Sequence, residues 1–340
     1  TPGCQYTADG LNHALTGTPS SRPEDHHLQL EKRRRKLEDQ VFGEAWADIE
    51  GEGDTAVITG GSSGVGRSLA FALGRQGARI VVGDVDETAM AQLRSDLQAE
   101  GIEALVAHCD VTSPDSLNGL ADAAHSTIGE MHLVFANAGI SAGESGAMWD
   151  YSEKDWQWCM NVNLWGVINT IGAFMPRLVA ANEEAHFVVT GSGNGAFLVY
   201  PDQPIYTASK AAVHAITENL HYQVTAAGSP VKVSALFPGP HVVDTGLFNS
   251  GRVRPQALKK EVEGNASGIS SVDDMKKMAA EWGIELQTTH PDEVAQMALE
   301  GLQKDAFWLL ATTPETDEKI RARAEMILTR QTPVANMVGA

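Results

Sequence analysis

From Asp54 onward the chain repeats one pattern: a short apolar run, a turn, then a longer amphipathic stretch. The apolar runs lie at 56–59, 78–83, 104–108, 133–136, 187–190, 231–236 and 307–311. They are strongly apolar, with only isolated polar residues such as Arg79, Lys232 and Ser234, where strands with one wet face would alternate along their length. Such strands must be covered on both sides, which calls for a parallel sheet between helices. The intervening stretches at 67–75, 87–100, 116–127, 156–178, 206–227, 291–302 and 315–329 read as those helices. The fold class is therefore α/β, a doubly wound parallel sheet of about seven strands.

Between the first strand and the first helix runs Thr59-Gly60-Gly61-Ser62-Ser63-Gly64-Val65-Gly66. Gly60 permits the tight turn, Gly64 lets the backbone approach a pyrophosphate, and Gly66 allows close helix packing. The helix that follows offers free N–H groups and a partial positive charge to phosphates. This is the phosphate-binding turn of a Rossmann fold, with Ser62, Ser63 and Val65 among its contacts. Asp84 follows the second strand, where a carboxylate accepts the hydroxyls of an adenosine ribose. A 2′-phosphate would meet a like charge there, no Arg or Lys adjoins Asp84, and Ser63 is uncharged, so the cofactor is expected to be NAD. Asp110 and Val111 after the third strand are placed at the adenine. Asn137, Ala138 and Gly139 after the fourth line the ribose and stabilise the sheet.

Tyr206 and Lys210, four residues apart at the head of a helix, share one face. A free tyrosine has a pKa of about 10. An ammonium about 4 Å away, at an effective dielectric near 20, favours the phenolate by roughly 4 kcal/mol. That would fit the phenol to exchange a proton near neutral pH.

Taken together, the glycine turn, Asn137-Ala-Gly139, Asn163-Leu-Trp-Gly166, Tyr206-x-x-x-Lys210 and Pro238-Gly239 resemble, in order and approximate spacing, the short-chain dehydrogenase/reductase family. The likeness runs from about 54 to 247, and more loosely to 311. It implies an NAD-dependent oxidoreductase interconverting a secondary alcohol and its ketone, with Tyr206 moving the hydroxyl proton. It further implies that Lys210 tunes the phenol and holds the nicotinamide ribose, and that Ser192 binds the substrate oxygen. Asn163 would hold a water linking Lys210 to solvent. Ser192 stands fourteen residues before Tyr206, where the family usually has thirteen, so an extra residue is expected within 197–204. Pro238, Gly239, Val242 and Thr245 would contact the nicotinamide carboxamide. Residues 246–290 would form a substrate lid, within a single domain spanning 51–330. Met148, Leu198, Tyr200, Phe248 and Trp282 would shape an apolar pocket for a bulky hydrophobic substrate. In the lid, Arg252 and Arg254 are the residues that would welcome an anion. A lyase or epimerase using NAD on the same fold, or a non-catalytic NAD-binding subunit, are the alternatives.

The formal charge of −19 argues against nucleic acid, since phosphate binding needs clustered cations. The three cysteines form no C-x-x-C pair, which points to a reducing, cytoplasmic compartment, and no His spacing suggests a metal. No apolar run approaches the ~18–20 residues that span a bilayer. Residues 1–50 read as an extension, with a possible helix over 27–46 and a basic run, Lys32-Arg-Arg-Arg-Lys36, taken as a solvated face. Residues 331–340 read as a tail. By family habit a homo-oligomer, dimer or tetramer, is expected. The charge at Asp84 predicts a much lower KM for NAD(H) than for NADP(H) in steady-state assays; equal use of both would overturn it.

Overall fold

The structure, a computed structural model, describes residues 54–143, 146–261 and 267–334. The N-terminal extension with its basic run, and the end of the C-terminal tail, lie outside the described residues.

Nine strands are described: β1 (Thr55–Thr59), β2 (Arg79–Asp84), β3 (Ala104–His108), β4 (Leu133–Ala136), β5 (Ala185–Thr190), β6 (Val231–Phe237), β7 (Val242–Val243), β8 (Thr288–Thr289) and β9 (Trp308–Leu310). Seven form one sheet in the order β3-β2-β1-β4-β5-β6-β9, with every neighbouring pair parallel. The chain winds outward from β1 in one direction and from β4 in the other. A crevice therefore opens between β1 and β4 at their C-terminal ends, where doubly wound sheets bind ligands. All five residues of β1 are buried, as a strand covered on both faces requires. One face packs Leu117, Phe174 and Phe187 into a core; the other packs Leu69, Met90, Leu93 and Val294.

The first two helices, α1 (Gly64–Gly74) and α2 (Glu87–Ala99), follow β1 and β2, and α3 (Pro114–Ile128) follows β3. Between β4 and β5 one long helix over 156–178 is expected, with the modest helix propensity of Asn163 permitting a local backbone distortion there. The structure instead has α4 (Glu153–Met160), a π-helical turn (Asn161–Trp165) and α5 (Gly166–Ala181). The amide of Asn163 explains the break. Its Oδ1 accepts from Ile140 N at 2.8 Å and its Nδ2 donates to Ile140 O at 3.0 Å, so the helix bulges where that side chain grips the chain after β4. By length and apolar composition the body Glu153–Ala181 could cross a bilayer. Its Trp158, Cys159, Asn163 and Phe174 are nevertheless buried in this domain. A four-residue turn, α6 (Gly193–Ala196), precedes α7 (Pro204–Ala226). Beyond β7 come short 3-10 turns at Gly246–Val253 and Gln256–Leu258, then α8 (Val272–Glu281), α9 (Pro291–Leu302) and α10 (Pro314–Thr329). The ribbon of β7 and β8 pairs Val242 with Thr288 and Val243 with Thr289, closing the base of the 246–290 insertion.

At the opposite end of the sheet His186 of β5 is buried with its Nε2 2.6 Å from Ser234 Oγ. Ser234 spends its own hydrogen on Ala306 O, so Nε2 is the donor and the ring is neutral. Burial pushes the His186 pKa down to about 4. The unfolded chain, with an ordinary histidine near 6.5, binds a proton in that interval that the folded protein refuses. Stability is therefore expected to fall by about 3 kcal/mol as pH drops from about 6.5 to 4. Denaturant titrations across that range should show the loss, and His186→Leu should flatten it.

Candidate active site

The crevice is built first by backbone. Gly60 sits at φ +63°, and a Cβ there would lie 2.6 Å from Ala138 Cα. A Cβ on Gly66 would come within 2.4 Å of Gly60 O. Thr59 Oγ1 donates to Phe135 O and accepts from Asn137 N at 3.0 Å and Ala138 N at 3.2 Å. Asn137 Nδ2 in turn donates to the carbonyls of Thr59 and Gly60, and its Oδ1 accepts from Thr190 Oγ1. The ends of β1, β4 and β5 are thus stitched together by Thr59, Asn137 and Thr190.

Helix α1 begins with no side-chain cap and no acidic residue in its first turn. Its first N–H groups are left for an anion, the arrangement a phosphate needs. Asp84, at the end of β2, accepts from Ser62 N at 3.0 Å and from Ser62 Oγ through one oxygen. The other oxygen accepts from Val85 N at 2.7 Å and Asp86 N at 3.1 Å. This network holds the carboxylate rigidly at the mouth of the turn. The donor set fits a dinucleotide: uncapped N–H groups for phosphate, and a fixed carboxylate where a ribose would lie.

A cavity of about 580 Å³ runs along this edge of the sheet. It takes in Gly60, Ser63, Gly64, Val65, Asp84, Asp110, Val111 and Asn137 to Gly139. It also takes in Ser192, Tyr206, Lys210, Pro238, Val242 and Thr245, with Thr245 beside Gly64 and Lys210 beside Gly139. Ser62 and Gly239 are not on the cavity wall; Ser62 is buried behind it, bonded to Asp84. Of the expected substrate residues, Tyr200 and Phe248 line the cavity. Leu198 is buried in the supporting loop, whereas Met148 and Trp282 are 49% and 79% exposed away from the wall. Leu247 and Met275, whose apolarity in the 246–290 insertion already suggests the pocket, line it too, and Ile140 and Trp158 join them from the segments after β4.

Tyr206 and Lys210 lie one turn apart on α7, both buried. Lys210 Nζ donates to Thr190 O at 2.8 Å and stands 5.9 Å from the centroid of the Tyr206 ring. Burial pushes the Lys210 pKa down to about 8. Asn163 is fully buried and besides Ile140 bonds Ser209 Oγ at 3.1 Å, one residue before Lys210. Ser192 Oγ accepts from Asn194 N at 3.2 Å, leaving the hydroxyl hydrogen for another acceptor. After Ser192 the chain bends at Gly195, φ +99°, where a Cβ would collide with Thr207 O at 2.6 Å.

The lid is anchored by its two arginines. Arg254 Nη2 meets Asp155 Oδ1 at 2.9 Å, with the two side chains 9% and 2% exposed, and its guanidinium lies 4.7 Å from the Trp158 ring centroid. Burial raises the Asp155 pKa, but the Ser152 hydroxyl and Arg254 outweigh it and hold the carboxyl below its ordinary range. Arg252 Nε meets Asp86 Oδ2 at 3.0 Å, joining the lid to the start of α2. Both cations expected to welcome an anion are engaged by carboxylates of the protein itself.

The family model described as short chain dehydrogenase matches residues 54–253. The chain belongs to the short-chain dehydrogenase family. It is 30% identical over 268 residues to 1-deoxy-11-beta-hydroxypentalenate dehydrogenase of Streptomyces exfoliatus, covering 79% of this chain and 85% of that one. A short-chain dehydrogenase/reductase from Burkholderia phymatum, solved with NAD, is 34% identical, covers 85% of this chain and 99% of its own, and superposes with a TM-score of 0.75. An alcohol dehydrogenase from Thermococcus sibiricus, complexed with 5-hydroxy-NADP, is 25% identical with a TM-score of 0.56, covering 74% and 91%. The protein is thus an oxidoreductase of the short-chain dehydrogenase type with a Rossmann-fold domain.

Neutralising Asp155 alone leaves the Arg254 charge buried and unpaired, a change that costs about 3–5 kcal/mol. Asp155→Asn is therefore expected to lower the denaturation midpoint and to speed limited proteolysis within 246–290. Unchanged cleavage of that segment would contradict the anchoring role.

Proposed function

We propose that this chain is an NAD-dependent dehydrogenase that interconverts a hydrophobic secondary alcohol and its ketone. The observation that carries the reading is the convergence of Ser192, Tyr206 and Lys210 on the cavity that also holds Asp84 and the glycine turn, with Asn163 buried just behind it. A bound nicotinamide supplies the hydride acceptor or donor. The chain's own residues handle the proton and the position. Ser192 donates its hydroxyl hydrogen to the substrate oxygen, and Tyr206 takes the alcohol proton, or returns it in the reverse direction. Lys210 favours the phenolate through its charge and offers its remaining hydrogens to a ribose. Asn163, by fixing the backbone at Ile140 and the start of the π-helical turn, keeps this group on the wall of the cleft and a path open for water behind Lys210.

Four further points support the finer reading. The fixed Asp84 carboxylate disfavours a 2′-phosphate, which favours NAD. The substrate end of the cavity is lined by Ile140, Trp158, Leu247, Phe248 and Met275, so the body of the substrate is apolar. Cys109 and Cys159 are buried and unbridged, which suits a cytoplasmic enzyme. Trp165 and Tyr222, 53% and 61% exposed on the long helices, suit a homo-oligomer.

The test is NADH absorbance with a panel of hydrophobic secondary alcohols. Wild-type protein should turn over at least one of them, and Tyr206→Phe should lower kcat by about 10²-fold or more while still binding NADH. Equal turnover by Tyr206→Phe would sink the mechanism.

A further inference from the structure

Among the buried polar side chains beside the cleft, Asn194 takes no part in the mechanism above. It is 8% exposed and reaches four different groups. Its backbone N–H donates to Ser192 Oγ at 3.2 Å. Its Oδ1 accepts from Thr207 Oγ1 at 2.8 Å and from Tyr200 N at 3.4 Å, and its Nδ2 donates to Gln203 Oε1 at 3.4 Å. One residue thus touches the serine, two points on the loop that follows it, and the residue next to Tyr206 on α7.

That placement matters because Ser192 and Tyr206 come from different elements. Ser192 follows β5, Tyr206 rides on α7, and residues 193–205 separate them, the last two already on α7. Gripping one substrate oxygen from both sides requires their separation to be held within fractions of an ångström, since a misplacement of 1 Å can cost about 10²-fold in rate. The backbone between them supplies a close approach of Gly195 to Thr207 O on α7 but no regular element. Asn194 itself has extended ψ (120°) and Gly195 is left-handed, so the short turn α6 is not a regular helix that could set the distance. The shortest side-chain bond crossing the gap is Asn194 to Thr207. Thr207 is as buried as Asn194, so water does not readily replace either partner.

We infer that Asn194 is a positioning residue that sets the distance between Ser192 and Tyr206 through its bond to Thr207. The inference rests on the function proposed above and names the device that fixes its two oxygen-binding groups. Asn194 acts through Ser192 and Thr207 and does not itself touch the reacting atoms.

The test uses the full-length protein and four variants: Asn194→Ala, Thr207→Val, Thr207→Ser and Ser192→Ala. Asn194→Ala and Thr207→Val are each expected to lower kcat by about 10-fold or more. The Kd for NADH, read by fluorescence titration, should stay within about 2-fold. Thr207→Ser, which keeps the hydroxyl, should retain near wild-type kcat. In a Ser192→Ala background, adding Asn194→Ala should cost less than about 2-fold, because its effect passes through the serine. Full additivity in that double variant, or an unimpaired Thr207→Val, overturns the inference. Should Asn194→Ala fail to fold, the contrast between Thr207→Val and Thr207→Ser decides, with equal kcat overturning it. Ser192→Ala alone separates the two levels. Intact turnover there removes the proposed role of the serine and this inference with it, whereas lost turnover combined with additivity removes the inference only.

Discussion

The proposed chemistry depends on a lysine, Lys210, held almost wholly out of water. Burial disfavours the ammonium and brings the Lys210 pKa down to about 8, so its cationic form depends on the few groups that face it. Thr190 supplies one carbonyl, at the end of the strand that also delivers Ser192. The same low dielectric that makes the cation costly makes its field at Tyr206 stronger than it would be in water. The amide of Asn163, bonded to Ser209, and the close packing of Gly195 on α7 fix the helix that carries both residues.

The rest of the molecule divides between a rigid floor and an anchored cover. On the floor, Thr59 and Asn137 bind three strand ends into one surface, and Ser62 locks Asp84. Over it, the 246–290 insertion is held by two ion pairs of different character. Arg254 and Asp155 are buried and stacked against Trp158, so this contact defines the position of the lid's base. Arg252 and Asp86 are partly exposed, at 34% and 16%, and salt can screen them. The second contact is the weaker of the two and the one that lies nearer the adenosine end of the cleft.

What could be read from the residues alone is what is local. Strand and helix periodicity, the glycine turn, the carboxylate after β2 and the shared face of Tyr206 and Lys210 each depend on neighbours within a few positions. What could not be read depends on partners far apart in the chain. Asn163 breaks its helix because it binds Ile140, 23 residues away. Arg252 and Arg254 look like free cations until the fold brings Asp86 and Asp155 to them, 166 and 99 residues away. Apolarity likewise marked Met148 and Trp282 as pocket candidates, yet it cannot say which surface an apolar side chain will face. The bond from Lys210 to Thr190 O, 20 residues away, was also out of reach of the sequence, while the shared helix face of Tyr206 and Lys210 was not.

The most direct test of the account is the pH dependence of kcat/KM for alcohol oxidation, compared between wild type and Lys210→Met. If the buried cation tunes the phenol, removing it must raise the pH at which the base becomes available. The rising limb should move to higher pH, and the plateau should drop by about 10²-fold or more. Superimposable profiles would mean that the lysine does not act on the tyrosine, and the central claim would fail.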